Sequence, residues 1–167
     1  MRIVKPTAEA LPAIYDLYRL VIADMHARDL YQWHWGQYPY EALLQEDVRE
    51  GRLYIMEDEE GLAGVFALCV GGNEPEYQHV DWQMGDHPVC LHRIAVNPNR
   101  GGRGYAGKAV EFAKEYGKRT GCNAFRVDTY AENTRALRFF ANVTDREAGT
   151  FRLEGFDKLY HCFECPL

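Results

Sequence analysis

The chain has 167 residues, 47% of them hydrophobic and 26% charged, with a formal net charge of −6. That length suits a single domain over 1–167 with a substantial core of its own. No apolar run approaches the roughly 20 residues of a membrane span, and Met1-Arg2-Ile3-Val4-Lys5-Pro6 lacks the apolar centre of an export signal, so a cytoplasmic protein with no membrane partner is expected.

Residues 2–5 read as a short strand. Ile14, Leu17, Tyr18, Val21, Ile22 and Met25 then recur at helical spacing, with Pro12 tolerable only in the first turn. An aromatic loop, "DLYQWHWGQYPY", leads to a second helix over 40–50, with Pro39 near its start and Gly51 just past its end. "RLYIMED" and "LAGVFALCVG" read as strands joined by a "DEEG" hairpin turn. A polar loop over 71–88 precedes the strand "VCLHRIAV". A glycine loop opens a helix that ends near Thr120, with Gly121 as its stop. "AFRVDTY" is a strand and "NTRALRFFAN" a short helix, and strands near 150–153 and 159–165 close the chain. The order β-α-α-β-β-β-α-β-α-β-β describes an α/β (α+β) fold, a mixed central sheet flanked by helices.

The five cysteines, at 69, 90, 122, 162 and 165, read as reduced thiols, since this is no small secreted disulfide scaffold. Cys162-Phe-Glu-Cys165 stands alone, without the second ligand pair that zinc would need, and no metal site is expected. Charge is unevenly spread. Residues 41–61 hold eight acids against Arg49 and Arg52, whereas 91–108 hold Arg93, Arg100, Arg103 and Lys108 and no acid. One basic, glycine-rich segment in an acidic chain suggests a local anionic ligand rather than a nucleic-acid groove.

"NPNRGGRGYAGKAV" is that segment. Gly102-x-Gly104-x-x-Gly107, with Asp128 at a later strand end, satisfies the dinucleotide fingerprint literally. Its first glycine is separated from the strand by Asn97–Gly101, and too little chain follows for a doubly wound sheet. A nicotinamide-dependent oxidoreductase is therefore the distant alternative. Gly102-x4-Gly107-Lys108-Ala109 misses a nucleotide-binding P-loop by the hydroxyl that would hold Mg²⁺.

"LHRIAVNPNRGGRGYAGKAV" resembles the acetyl-CoA-binding motif of the GNAT acetyltransferases, a strand running through a proline turn into Q/R-x-x-G-x-G/A and a helix. Gly104-Tyr105-Ala106 takes the G-x-G/A positions, and Gly101 stands where Q or R is expected. "DTYAENTRALRFF" resembles the family's second motif, with Asn133 and Ala136 in its N-x-x-A. The resemblance extends over nearly the whole chain. "YPYEALLQEDVREGRLYIMEDEEGLAGVFAL" matches the family's second helix and hairpin, and "FDKLYHCFECPL" its closing strand.

The resemblance implies an enzyme, an acetyl-CoA-dependent N-acetyltransferase, in which the amine of a small molecule, or of a protein or peptide, attacks the thioester directly. A CoA-binding module with little turnover is the rival, and a homodimer is left open. The implied cofactor-binding residues are the backbone of Ile94, Ala95 and Val96 at the thioester, and Arg100, Gly101, Gly102, Arg103, Gly104, Tyr105, Ala106, Gly107 and Lys108 at the phosphates. Asn133 and Ala136 would contact the pantetheine arm. His92, in an "LHALAV"-like context, is the candidate base, direct or through water. Should it prove structural, Glu41 and Asp47 come next. Arg93, pointing the other way, reads as a structural cation paired with an acid from 41–61. Phe140 stands where the family's proton-donating tyrosine is expected and Thr144-Asp145 where its Gly-Phe falls, leaving Tyr130, Tyr105 or water for the thiolate. Trp33, Trp35, Tyr38 and Trp82 are expected to line an aromatic acceptor pocket suited to an apolar amine.

Overall fold

A computed structural model describes residues 1–153 and 157–167. Phe156, at the head of the segment read as the closing strand, lies outside them. The elements are β1 (Arg2–Val4), α1 (Leu11–His26), α2 (Glu41–Arg49), β2 (Leu53–Asp58), β3 (Gly61–Val70), β4 (Pro88–Val96), α3 (Tyr105–Arg119), β5 (Ala124–Tyr130), α4 (Thr134–Val143), β6 (Arg146–Leu153) and β7 (Lys158–Pro166). Their order is the one read from the sequence. Among the described residues no helix is long and apolar enough to cross a membrane.

The seven strands follow the order β1-β2-β3-β4-β5-β7-β6. β4 and β5 are parallel from Pro88↔Ala124 to Leu91↔Val127, with α3 as the crossover that a parallel pair requires. β1–β2, β2–β3, β5–β7 and β6–β7 pair antiparallel. The β4–β5 register ends at Leu91↔Val127, although β4 continues to Val96 and β5 to Tyr130.

The chain divides into two compact units, 1–68 with 93–109, and 69–92 with 110–167. In the first, α1 buries all six positions picked out by periodicity, Ile14, Leu17, Tyr18, Val21, Ile22 and Met25. They pack with Leu44, Leu53, Ile55, Val65, Ala67 and Ala95, and full burial of such side chains contributes about 1.5–3 kcal/mol each. α2 buries Leu44 and also Asp47. The second unit packs Tyr77, Val80, Cys90, Ala148 and Cys162 together.

The 71–88 segment, read as a polar loop, contains a 3-10 turn over Pro75–His79. Its far end is pinned by Glu164, fully buried on β7, whose carboxylate accepts the N–H groups of Gln83 (2.9 Å) and Met84 (3.1 Å) and an Arg146 guanidinium N–H (2.6 Å). Cys162 and Cys165 are both buried free thiols on β7. Three residues apart on a strand, they point to opposite faces and cannot act as a pair.

Candidate active site

β4 carries the candidate base. His92 and Arg93 are neighbours on β4, and each has its own partners. In the second unit, His92 Nε2 lies 2.8 Å from Glu74 Oε1 and its Nδ1 lies 3.9 Å from Asp128 Oδ1, with the ring only 11% exposed. Asp128 in turn accepts the Tyr77 hydroxyl at 2.5 Å. Burial raises the Asp128 carboxyl above the ordinary range, against the lowering pull of His92 and the Tyr77 hydrogen bond. It also raises the Tyr77 phenol, with the Asp128 charge next in weight.

Sequence reasoning missed both carboxylates. Glu74-Pro75 signals a turn, but nothing local places it at a histidine 18 residues away. In the sequence, Asp128 reads only as a ribose acid. The structure assigns it to this internal cluster instead, which removes the support it lent to a dinucleotide site.

In the first unit, Arg93 donates to Asp47 Oδ2 at 2.7 Å and to the Tyr38 hydroxyl at 3.2 Å, the acid pairing expected from the 41–61 region. Its backbone lies in the left-handed region, φ +52°, uncommon for a bulky side chain. Its carbonyl accepts the buried Tyr18 hydroxyl at 2.8 Å. Asp47, 0% exposed, also accepts from Arg52 Nε at 2.8 Å. With each oxygen bound by a guanidinium and no exposed surface for an amine to reach, Asp47 is a structural anion rather than a reserve base. Glu41 stays exposed, 3.5 Å from Arg19.

In the glycine loop, Gly102 and Gly104 have φ +79° and +74°, conformations that favour glycine. Gly107 differs. It lies in the first turn of α3, where alanine would be preferred by about 1 kcal/mol, and a Cβ there would meet nothing within 4 Å. Among the described residues no contact accounts for that glycine, and the space beside its backbone is open to a ligand. The first N–H groups of a helix have no partner within it and attract anions, so the loop fits a phosphate.

The loop's cations are less available than expected. Arg100, 11% exposed, pairs with Asp58 and donates to the Glu60 carbonyl at 2.5 Å. It anchors the loop to the β2–β3 turn rather than lying open to phosphate. Tyr105 donates its hydroxyl to the same Asp58, which sets it apart from the thiolate donors. Arg103, 49% exposed, meets Glu60 Oε1 at 2.5 Å, a surface pair worth about 0–1 kcal/mol that a phosphate can displace. Lys108 is exposed.

The Tyr105 hydrogen bond, with the Glu60 N–H and Arg100 assisting against burial, holds the Asp58 carboxyl down to about 2. A depressed carboxyl stabilises the fold above its unfolded value of 3.8, and that stabilisation is lost as pH falls through the folded value. Unfolding curves between about pH 2 and 6 should therefore show an acid limb that Asp58→Asn flattens. An unchanged limb in the variant would remove Asp58 from the account.

Asn133 accepts the Ala136 N–H at 3.1 Å and caps α4, so both residues of the second motif sit at one helix end. Phe140 is 3% exposed and packs on Phe139 and Phe163. Burial raises the phenol of Tyr130. The aromatic candidates separate. Trp33 is 8% exposed, a core residue edge-on to Tyr18 at 5.9 Å and near Tyr38 at 6.4 Å. Trp35 lies under the Arg19 guanidinium at 4.7 Å. Trp82 belongs to the second unit, where it packs on Tyr77 and under Arg126 at 4.4 Å and donates to the Tyr77 carbonyl at 3.1 Å.

Strand order and the looped entry into α3 together define an acetyltransferase fold. The chain belongs to the acetyltransferase (GNAT) family, whose model matches residues 15–143, and the family's acyl donor is acetyl-CoA. No curated relative matches the sequence. Among solved structures, a GNAT-family acetyltransferase from Streptococcus agalactiae 2603 superposes with a TM-score of 0.80 at 20% identity, covering 99% of this chain and 95% of that one. The NatC complex bound to Gag peptide and CoA gives 0.68 at 20% identity, with 100% and 99% covered. The ribosomal-protein-S18-alanine N-acetyltransferase from Escherichia coli gives 0.69 at 15%, with 99% and 92% covered.

Proposed function

We propose that this chain transfers the acetyl group of acetyl-CoA to the amine of a small molecule, or of a protein or peptide, by direct attack on the thioester, with His92 taking the amine's proton. The observation that carries the reading is His92 itself, a titratable ring on β4 set against two carboxylates. An amine arrives protonated and has to lose that proton before its lone pair can attack. Histidine titrates near neutral pH, and a positioned base contributes about 10²–10⁴-fold. Both ring nitrogens face carboxylates, so the proton reaches the ring through water or through Glu74, and the imidazolium is held by the same two acids.

The donor supplies an activated acyl group. The backbone N–H groups of Gly101–Gly107, with Arg103 and Lys108, hold its phosphates, and Arg100 holds the loop. Asn133 and Ala136 meet the pantetheine arm. Backbone N–H groups at Ile94–Val96 polarise the thioester carbonyl as an oxyanion hole does. The C–N bond forms, the C–S bond breaks, and the departing thiolate takes its proton from water, since Phe140 has none to give. Trp35 and Tyr38 serve the acceptor, while Trp33 and Trp82 each pack within their own unit.

The test is a set of melting and calorimetric titrations with acetyl-CoA, NADH and ATP on wild type and Gly107→Ala. Acetyl-CoA at 100 times its dissociation constant should stabilise the wild type by about 2.7 kcal/mol, and the other two should not. Gly107→Ala should stabilise the free protein by about 0.5–1 kcal/mol yet weaken acetyl-CoA. A variant that binds acetyl-CoA as well as wild type would show that the loop does not meet the donor.

A further inference from the structure

We propose that Cys69, Glu74 and His92 form a binding site for a thiophilic divalent cation such as zinc, and that the ion inhibits the enzyme by occupying His92. The three residues each bring one ligand atom to within 4.8 Å of the others, and all three are half-buried. They come from the end of β3, the 71–88 segment and β4, all within the second unit.

A tetrahedral zinc with bonds of about 2.0–2.3 Å sets its ligands roughly 3.3–3.8 Å apart. Closing the cluster on an ion therefore asks for movements of the ligand atoms of about 1 Å. Thiolate with imidazole selects zinc over magnesium or calcium. Thiolate and Glu74 carboxylate together neutralise a dication, and the fourth position remains for water.

The surroundings of the histidine carry the argument further. Metal-bound imidazoles characteristically direct the second ring nitrogen at a carboxylate, which fixes the tautomer and strengthens the ligand. In His92 the nitrogen on the Glu74 side is Nε2, and Nδ1 faces Asp128 at 3.9 Å. Asp128 is itself held by the Tyr77 hydroxyl at 2.5 Å. A supporting carboxylate is thus already beside the second ring nitrogen, about 1 Å short of a hydrogen bond. A metal on Nε2 takes the lone pair that would accept a proton. That consequence, unlike the binding, rests on His92 being the base.

The full-length protein, freed of metal by chelation, is titrated with cobalt(II) chloride and then with zinc chloride. One equivalent of cobalt should bind and produce a near-ultraviolet thiolate-to-cobalt charge-transfer band that zinc abolishes. The band should disappear in Cys69→Ser and in His92→Gln and persist in Cys165→Ser, with circular dichroism confirming that each variant is folded. Asp128→Asn, which leaves every ligand in place, should weaken zinc about 10–100-fold. Zinc should suppress acetylation by the wild type, and a chelator should restore it. The absence of a band, or a band that survives Cys69→Ser, overturns the site. Cobalt bound as described with an undiminished rate keeps the site and overturns His92 as the base.

Discussion

His92→Ala should lower kcat by about 10²–10⁴-fold while leaving acetyl-CoA affinity nearly unchanged, because a general base acts on the transition state and not on donor binding. His92→Gln keeps a hydrogen bond to Glu74 without basicity, so it should be as slow as alanine. Recovery of the rate by glutamine would make the ring a spacer between Glu74 and Asp128. Glu74, 2.8 Å from the ring, would then be the next group to test, since Asp47 is enclosed by arginines. Firm acetyl-CoA binding with no turnover across a panel of arylalkylamines and peptides would favour a binding module instead.

Asp47→Ala should destabilise the first unit by about 3–5 kcal/mol, the range for removing one partner of a buried ion pair. A typical total is about 5–15 kcal/mol, so the variant should sit near its unfolding threshold. The reason is not the lost attraction alone. Arg93, with a side chain only 9% exposed, would keep its charge with no carboxylate to balance it, on a backbone already in the left-handed region. Arg52, 33% exposed, can turn to water, so Arg52→Ala should be much milder. Urea unfolding of the two variants makes the comparison. A loss below about 0.5 kcal/mol for Asp47→Ala, the scale of an ordinary surface change, would contradict the burial argument.

Some of this protein follows from local sequence. The periodicity of 11–26 and the alternation of the strands depend on each residue's near neighbours, and so do Pro12 and Gly121 at helix ends. The element order and all six buried positions of α1 were therefore legible. So was the glycine loop, because left-handed turns admit few residues but glycine.

What surrounds those residues was not legible. Glu74 meets His92 across 18 positions, Arg93 meets Asp47 across 46 and Arg100 meets Asp58 across 42. Each brings a loop or a helix against a strand from far along the chain, and one of them also involves a left-handed residue inside β4. A carboxylate in the sequence looks the same whether it ends as a solvated surface charge, a clamp on a loop or the partner of a base. Burial and distance separate those fates, and only the folded chain sets both.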